Sequence, residues 1–155
     1  MEWVKVDTSD KKAMEEFWDF TVPYFEEIIT DAKDLEYFLG GEYRGAIEEI
    51  SLRSLNPTAL LAAYDGERLA AVCIYQEEGN EKVFLMEFCI EKSLRGKGAG
   101  RRLYFDLEKG LAARGVKQIS LTPALEGSRL FWLKMGYSPC GETADNGKEI
   151  HIKNL

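Results

Sequence analysis

Apolar positions recur at two spacings along the chain, and the change from one to the other divides it. Residues 2–6 (EWVKV) alternate and are rich in β-formers, which predicts a short opening strand. Ala13, Met14, Phe17, Trp18 and Phe20 then follow at near-helical spacing. Ahead of them stand Thr8, Ser9 and Asp10, residue types that cap helix N-termini. Pro23 is expected to end or kink this helix, because it removes a backbone donor. The pattern stays helical from Tyr24 to Asn56. Phe25, Ile28 and Ile29 suit one face, and Asp31 can cap a piece carrying Leu35, Phe38 and Leu39. Gly40-Gly41 interrupts it, and Ala46, Ile47, Ile50 and Leu55 suggest a further helix. Two helices or three satisfy this stretch.

From Ala59 the texture becomes that of strands. ALLAAY and LAAVCIY flank Asp65-Gly66-Glu67-Arg68, a hairpin signal. Residues 77–82 read as a polar turn into VFLMEFCI, so three successive strands form an antiparallel meander. Ala99, Leu103, Leu107 and Leu111 then step by four, with Gly115 as the C-cap, which predicts a helix. QISLT is a strand, and the strand–helix–strand order implies a parallel pair. Residues 127–135 suggest a short helix, and residues 137–140 and 149–153 a last strand pair turning at Asp145-Asn146-Gly147. The expected fold class is α+β: a mixed, mainly antiparallel sheet flanked by helices, in one domain spanning residues 1–155.

Composition narrows the partners. A formal charge of −7 argues against a general nucleic-acid binder. No apolar run approaches membrane-spanning length, and the N-terminus lacks the apolar core of a signal peptide. Cys73, Cys89 and Cys140 are an odd set without CxxC spacing, and two of them sit in apolar runs. A cytoplasmic protein with free thiols is the expectation. One histidine and scattered cysteines make no metal-ligand set, so no metal is expected.

The chemistry concentrates between Val83 and Arg114. An apolar strand, the loop EKSLRGKGAG and an amphipathic helix follow one another, and the junction carries Arg95, Lys97, Arg101 and Arg102. A helix N-terminus offers free N–H groups and a positive dipole, and glycines let a bulky anion approach the backbone. A phosphate-bearing ligand is the first inference. The Walker pattern fails, because Arg101-Arg102 stand where Lys-Ser or Lys-Thr belong. The dinucleotide pattern fails too, because its third glycine falls on Leu103 or Arg101.

Arg95-x-x-Gly98-x-Gly100 between such a strand and helix resembles the acyl-CoA-binding motif of the GNAT superfamily of N-acetyltransferases. The resemblance runs from about Ala59 to Leu155 and takes in the hairpin, the strand ending at Ile90, the RGKGAG loop and the LFWLKMGY segment. It implies a GNAT-like acyl-CoA N-acyltransferase fold, with residues 59–155 as the acyl-CoA-binding core and residues 1–56 on the acceptor side. It also implies direct acetyl transfer from acetyl-CoA to a primary amine in a ternary complex, by a monomer or homodimer. Backbone groups of Arg95, Gly96, Lys97, Gly98, Ala99, Gly100 and Arg101 would hold the pyrophosphate, aided by the Arg95, Lys97 and Arg101 side chains. The pantetheine arm would pair with backbone at Phe88, Cys89 and Ile90, where VFLMEFCI splays from QISLT.

An acceptor ammonium must lose a proton before it attacks. Glu87 is the candidate base, a carboxylate inside an apolar strand, where burial raises the pKa. Alternation groups it with Cys89 and Glu91, opposite Met86, Phe88 and Ile90. In the family a tyrosine in a pattern like FYxxxGF often protonates the leaving thiolate; here that place is Trp132, and the asparagine seven residues earlier is Leu125. Tyr137, Tyr104 or water could substitute. His151 reads as structural or surface. The alternative is a non-catalytic acyl-CoA-binding or regulatory module of the same fold, suggested by Trp132.

Overall fold

The computed structural model describes residues 1–155. The strands are β1 (Trp3–Lys5), β2 (Thr58–Asp65), β3 (Arg68–Gly79), β4 (Lys82–Ile90), β5 (Gln118–Leu121), β6 (Ser138–Thr143) and β7 (Glu149–Asn154). The helices are α1 (Lys11–Ile28), α2 (Ala32–Leu39), α3 (Glu42–Ser51), α4 (Ala99–Ala113) and α5 (Glu126–Lys134). One sheet contains every strand, in the order β1-β2-β3-β4-β5-β7-β6. Only β4 and β5 are parallel neighbours, joined by the α4 crossover; the other pairs are antiparallel. This is the mixed, mainly antiparallel α+β fold expected from the sequence.

The early hairpins close as their turn residues dictate. Asp65 pairs with Arg68 around Gly66, which sits at φ 65°. Asn80 and Glu81 both adopt positive φ, 53° and 61°, between the paired residues Gly79 and Lys82. Two positive φ values suit a type I′ turn, whose twist matches the flanking strands. The strands therefore run into residues 77–82, where the sequence suggests only a polar turn.

Both faces of the sheet centre are covered. Leu60, Ala62, Val72 and Ile74 pack beneath Met14, Phe17, Trp18 and Phe25 of α1 and Tyr43 and Ile47 of α3. Cys73, Tyr75, Val83 and Leu85 point the other way, to Tyr104, Leu107 and Leu111 of α4 and Trp132 of α5. Consecutive residues of β3 thus enter different cores, which is why AAVCIY is apolar without alternation.

α1 is longer than the sequence suggests. Asp10 caps it by accepting from the Ala13 N–H (3.1 Å), and it passes through Pro23 to Ile28 instead of ending at the proline. A proline inside a helix costs about 3 kcal/mol. Phe25, two residues on, is wholly buried, with its ring centroid 5.0 Å from Phe38 and 5.7 Å from Tyr43. Burying such a side chain returns about 2–3 kcal/mol, so the turn beyond Pro23 survives on tertiary packing. Asp31 then caps α2 by accepting from the Lys33 and Asp34 N–H groups, and α3 follows. The ambiguous stretch thus holds the end of α1 and two further helices.

Candidate active site

β4 and β5 part company halfway. They pair only over Lys82–Phe84 and Gln118–Ser120. Beyond Phe84, β4 continues to Ile90 beside β3, while β5 stays with β7, so a wedge opens between them. The Glu91 N–H donates to the Ala70 carbonyl. By the alternation of an antiparallel ladder, the peptide groups of Phe88 and Ile90 then face the wedge. The Ile90 carbonyl accepts there from Arg95 Nε at 3.0 Å.

A bulge in the same segment decides which side chains face which core. Ile74 pairs with Glu87, but the next residue, Tyr75, pairs with Leu85, leaving Met86 as an extra residue. Strict alternation from Val83 and Leu85 would turn Glu87 toward α4 and α5. The extra residue instead turns Glu87 and Cys89 toward α1 and α3, and Phe88 and Ile90 the other way. Met86 shares the Glu87 side by packing on the α1–α3 core, which corrects the alternation that grouped it with Phe88 and Ile90.

The glycine loop meets α4 at the mouth of the wedge. The N–H groups from Gly96 to Arg101 donate to no backbone carbonyl, and no side chain caps the helix. Arg95 is excluded, because its own N–H closes a turn onto Lys92. Gly98, the N-cap, adopts φ 84°, a conformation that residues with a Cβ rarely take. A row of unclaimed donors at a positive helix end is an anion cradle.

A cleft of ≈ 530 Å³ links this loop to the wedge. Of the site residues expected from the sequence, Phe88, Ile90, Arg95, Gly96, Gly98, Gly100 and Arg101 line it, and Glu87, Cys89, Lys97 and Ala99 do not. Ala99 is buried under the helix start, and Lys97 is exposed on the loop. α1 contributes Tyr24, Glu27 and Ile28 from one face of the turn beyond Pro23. α5 contributes Ser128, Phe131, Trp132 and Lys134. Tyr24 and Glu27 stand in the sequence as members of an aromatic and acidic region, with no signal that singles them out.

The Arg95 side chain turns away from the loop. Nη1 donates to both Glu27 oxygens at 2.9 Å while Nε holds the Ile90 carbonyl. This clasp joins α1 to the loop across the cleft. Arg101 stays beside the cleft, its guanidinium carbon 5.5 Å from the Phe105 ring centroid.

Glu87 is buried, 7% exposed. Burial pushes its carboxyl pKa up to about 7, while the Tyr43 and Tyr24 hydroxyls and the Lys148 charge pull the other way. Tyr43 Oη donates to Oε1 at 3.0 Å, and Tyr24 stands near the same carboxylate. Burial raises both phenols well above the ordinary tyrosine range, and the nearby carboxylate adds to that. Cys89, beside Glu87, is pushed up to about 12 by burial, so it is a neutral thiol and no nucleophile.

Trp132 lines the cleft with its ring centroid 5.5 Å from Phe88, 4.9 Å from Phe131, and 5.4 Å from both Tyr104 and Tyr137. Tyr104 Oη donates to Tyr137 Oη at 2.9 Å inside the core, and neither tyrosine lines the cleft. Both are held above the ordinary range, first by burial. They make poor acids for a leaving group they do not face. His151 is buried on β7, with Nε2 3.1 Å from Glu149 Oε1. No group of three or more His, Cys, Asp or Glu side chains is gathered to hold a metal ion.

The profile of the GNAT acetyltransferase family matches residues 12–137. No curated protein matches the chain in sequence. Among solved structures, the chain is similar to the PaiA N-acetyltransferase of Thermoplasma acidophilum in complex with coenzyme A. That match has TM-score 0.75 and 17% identity, and covers 99% of this chain and 98% of the other. It is similar also to the aminoglycoside 6′-N-acetyltransferase of Enterococcus faecium, with TM-score 0.73, 20% identity and 99% and 97% coverage. An aminoglycoside 6′-N-acetyltransferase complexed with coenzyme A matches at TM-score 0.71 and 19% identity, over 99% and 97% of the two chains. At these identities the likeness is one of fold.

Proposed function

The chain belongs to the GNAT family of acetyltransferases, and from that premise we propose that it transfers an acetyl group from acetyl-CoA directly to a primary amine within a ternary complex. One observation carries this reading. The unclaimed N–H groups from Gly96 to Arg101 stand at the N-terminus of α4, on the rim of a cleft that leads into the β4–β5 wedge. A pyrophosphate held by those amides has a path for a long, thin, amide-bearing arm toward the Phe88 peptide group and the Ile90 N–H, which face the wedge. Coenzyme A fits that description, and two structural neighbours hold it. Lys97 and Arg101 supply positive charge at the loop.

Acetyl-CoA supplies the activated acyl group, a thioester. A wedge-facing N–H of Phe88 or Ile90 is suited to hold the thioester oxygen as negative charge develops there. Phe88, Phe131 and Trp132 supply an apolar wall that excludes water from the thioester. Glu87 is the base: with a pKa near 7 it is about half deprotonated at neutral pH and a stronger base than an ordinary carboxylate, placed to take the proton as the amine attacks. The amine enters from the α1–α3 side, toward which Glu87 faces. No covalent enzyme intermediate is needed, and the neutral Cys89 thiol fits that. The three cysteines are free and no helix is long and apolar enough to cross a membrane, which accords with a cytoplasmic enzyme.

The test has two arms. Thermal-shift titration with acetyl-CoA is expected to raise Tm in a saturable way; no shift would sink the cofactor reading. Thiol release across a panel of polyamines, aminoglycosides, amino acids and peptide amines is expected to single out an acceptor class. Binding without turnover on any amine would favour a non-catalytic module, the reading to which Trp132 lends weight.

A further inference from the structure

Glu87 does not line the cleft, so a base at this position needs a route to the amine. Two phenols act on the carboxylate: Tyr43 hydrogen-bonds it at 3.0 Å, and Tyr24 stands close enough to lower its pKa. Tyr43 belongs to the buried core, its ring packed edge-on against Trp18 and Phe25 at 6.0 and 5.7 Å. Tyr24 is the half-buried one, and of the two it alone lines the cleft. It stands on the extra turn of α1 beyond Pro23, with Glu27 and Ile28 on the same face. No other tyrosine lines the cleft, and the tyrosine usual at the position of Trp132 is missing.

Resting on the reading of Glu87 as base, we propose that Tyr24 is a catalytic proton shuttle, whose hydroxyl joins the amine in the cleft to the Glu87 carboxylate behind it. The Tyr24 oxygen accepts a proton from the acceptor ammonium as its own O–H proton passes to Glu87, leaving a neutral amine. The amine nitrogen then forms a bond to the acyl carbon and the carbon–sulfur bond breaks, its electron pair leaving on sulfur. The second nitrogen proton is lost as the amide forms. Glu87 returns the first proton through the same hydroxyl to the thiolate, so one proton per turnover is released to solvent. Tyr24 remains a phenol between steps, in line with the upward push on its pKa from burial and from Glu87. The shuttle also supplies the acid that Trp132 cannot be.

The charged and titratable groups facing Glu87 come from several elements. They are Tyr24 on α1, Tyr43 on α3, Cys89 on β4 and Lys148 in the β6–β7 turn, while Cys73 of β3 lies on the opposite face of the sheet. Arg95, clasped to Glu27, acts on Tyr24 and Cys89. Removing one phenol therefore disturbs the carboxylate by charge and hydrogen bonding as well as by any proton transfer, and the two effects have different signatures.

The test compares pH–rate profiles of Tyr24→Phe, Tyr43→Phe and Glu87→Gln in the full chain, with acetyl-CoA binding measured alongside. Tyr24→Phe is expected to lower the kcat plateau about 100-fold at every pH, the scale of lost acid–base catalysis, with near-normal acetyl-CoA affinity. Tyr43→Phe is expected to displace the acidic limb to higher pH, because it removes a hydrogen bond that favours the carboxylate. A Tyr24→Phe enzyme that merely displaces the limb and keeps the wild-type plateau would overturn the shuttle. A Glu87→Gln enzyme with the wild-type profile would overturn the base reading itself, so the two failures are separable. If Tyr24→Phe does not fold, a proton inventory of wild-type single turnovers decides. A curved inventory, with more than one proton in flight, is expected, and a linear one would remove Tyr24 from the path.

Discussion

Tyr43 Oη lies 3.0 Å from Glu87 Oε1, joining residues 44 apart in the chain inside the α1–α3 core. Hydrogen bonding there favours the charged carboxylate, yet burial outweighs it and holds the pKa near 7. A carboxyl whose folded-state pKa lies above its unfolded value of 4.5 stabilises the fold at low pH. That contribution is lost as pH rises through about 7. Glu87→Gln keeps an acceptor for Tyr43 and carries no charge. Its stability relative to wild type is expected to rise by about 2–3 kcal/mol between pH 5 and pH 8 in urea denaturation. A pH-independent difference would contradict the raised pKa.

Gly98→Asp is expected to abolish acetyl-CoA binding while the protein still folds. A Cβ at Gly98 meets nothing within 4 Å, so the damage comes from φ 84° and from the carboxylate set among the loop amides. Gly98→Ala isolates the strain, with an expected stability loss of about 1–2 kcal/mol. Calorimetry should then show the alanine enzyme binding and the aspartate enzyme silent. Equal affinities for wild type and aspartate would remove the pyrophosphate from this loop.

The Glu27–Arg95 clasp predicts an ionic-strength effect. Glu27 is a negative charge on the wall of the cleft proposed for acetyl-CoA, a polyanion, and it occupies Arg95. Glu27→Gln is expected to tighten acetyl-CoA binding by about fivefold at low salt, equivalent to about 1 kcal/mol, and less at high salt. Unchanged or weaker binding would mean that the clasp is part of the bound state.

Tyr104→Phe separates the core tyrosines from the chemistry. It leaves the Tyr137 hydroxyl without its 2.9 Å partner in a buried setting, which costs about 1–3 kcal/mol. Tm should fall by several degrees while kcat stays at the wild-type value, since neither ring reaches the cleft. A large fall in kcat with intact Tm would return the core pair to the list of acids.

Much of this protein is legible from one sequence, because much of it is local. The DG hairpin, the order of strands and helices, and the glycine loop opening α4 each depend on residues within a turn or two of one another. Backbone conformation and period alone therefore point to them, and they carry the family and the anion cradle. The remaining site depends on contacts that no local period encodes. Alternation within the segment groups Glu87 with Cys89 as the structure does, but the extra residue at Met86 puts that side chain with them instead of with Phe88 and Ile90, which no local period encodes. The turn beyond Pro23 persists because Phe25 is buried against Phe38 and Tyr43, from helices that lie later in the chain. That turn brings Tyr24 near Glu87 and pairs Glu27 with Arg95, 68 positions away. The sequence determined that a glycine-rich loop opens a helix, because both features are local; packing at a distance decided which side chains stand around Glu87, because residues far apart in the chain must meet there.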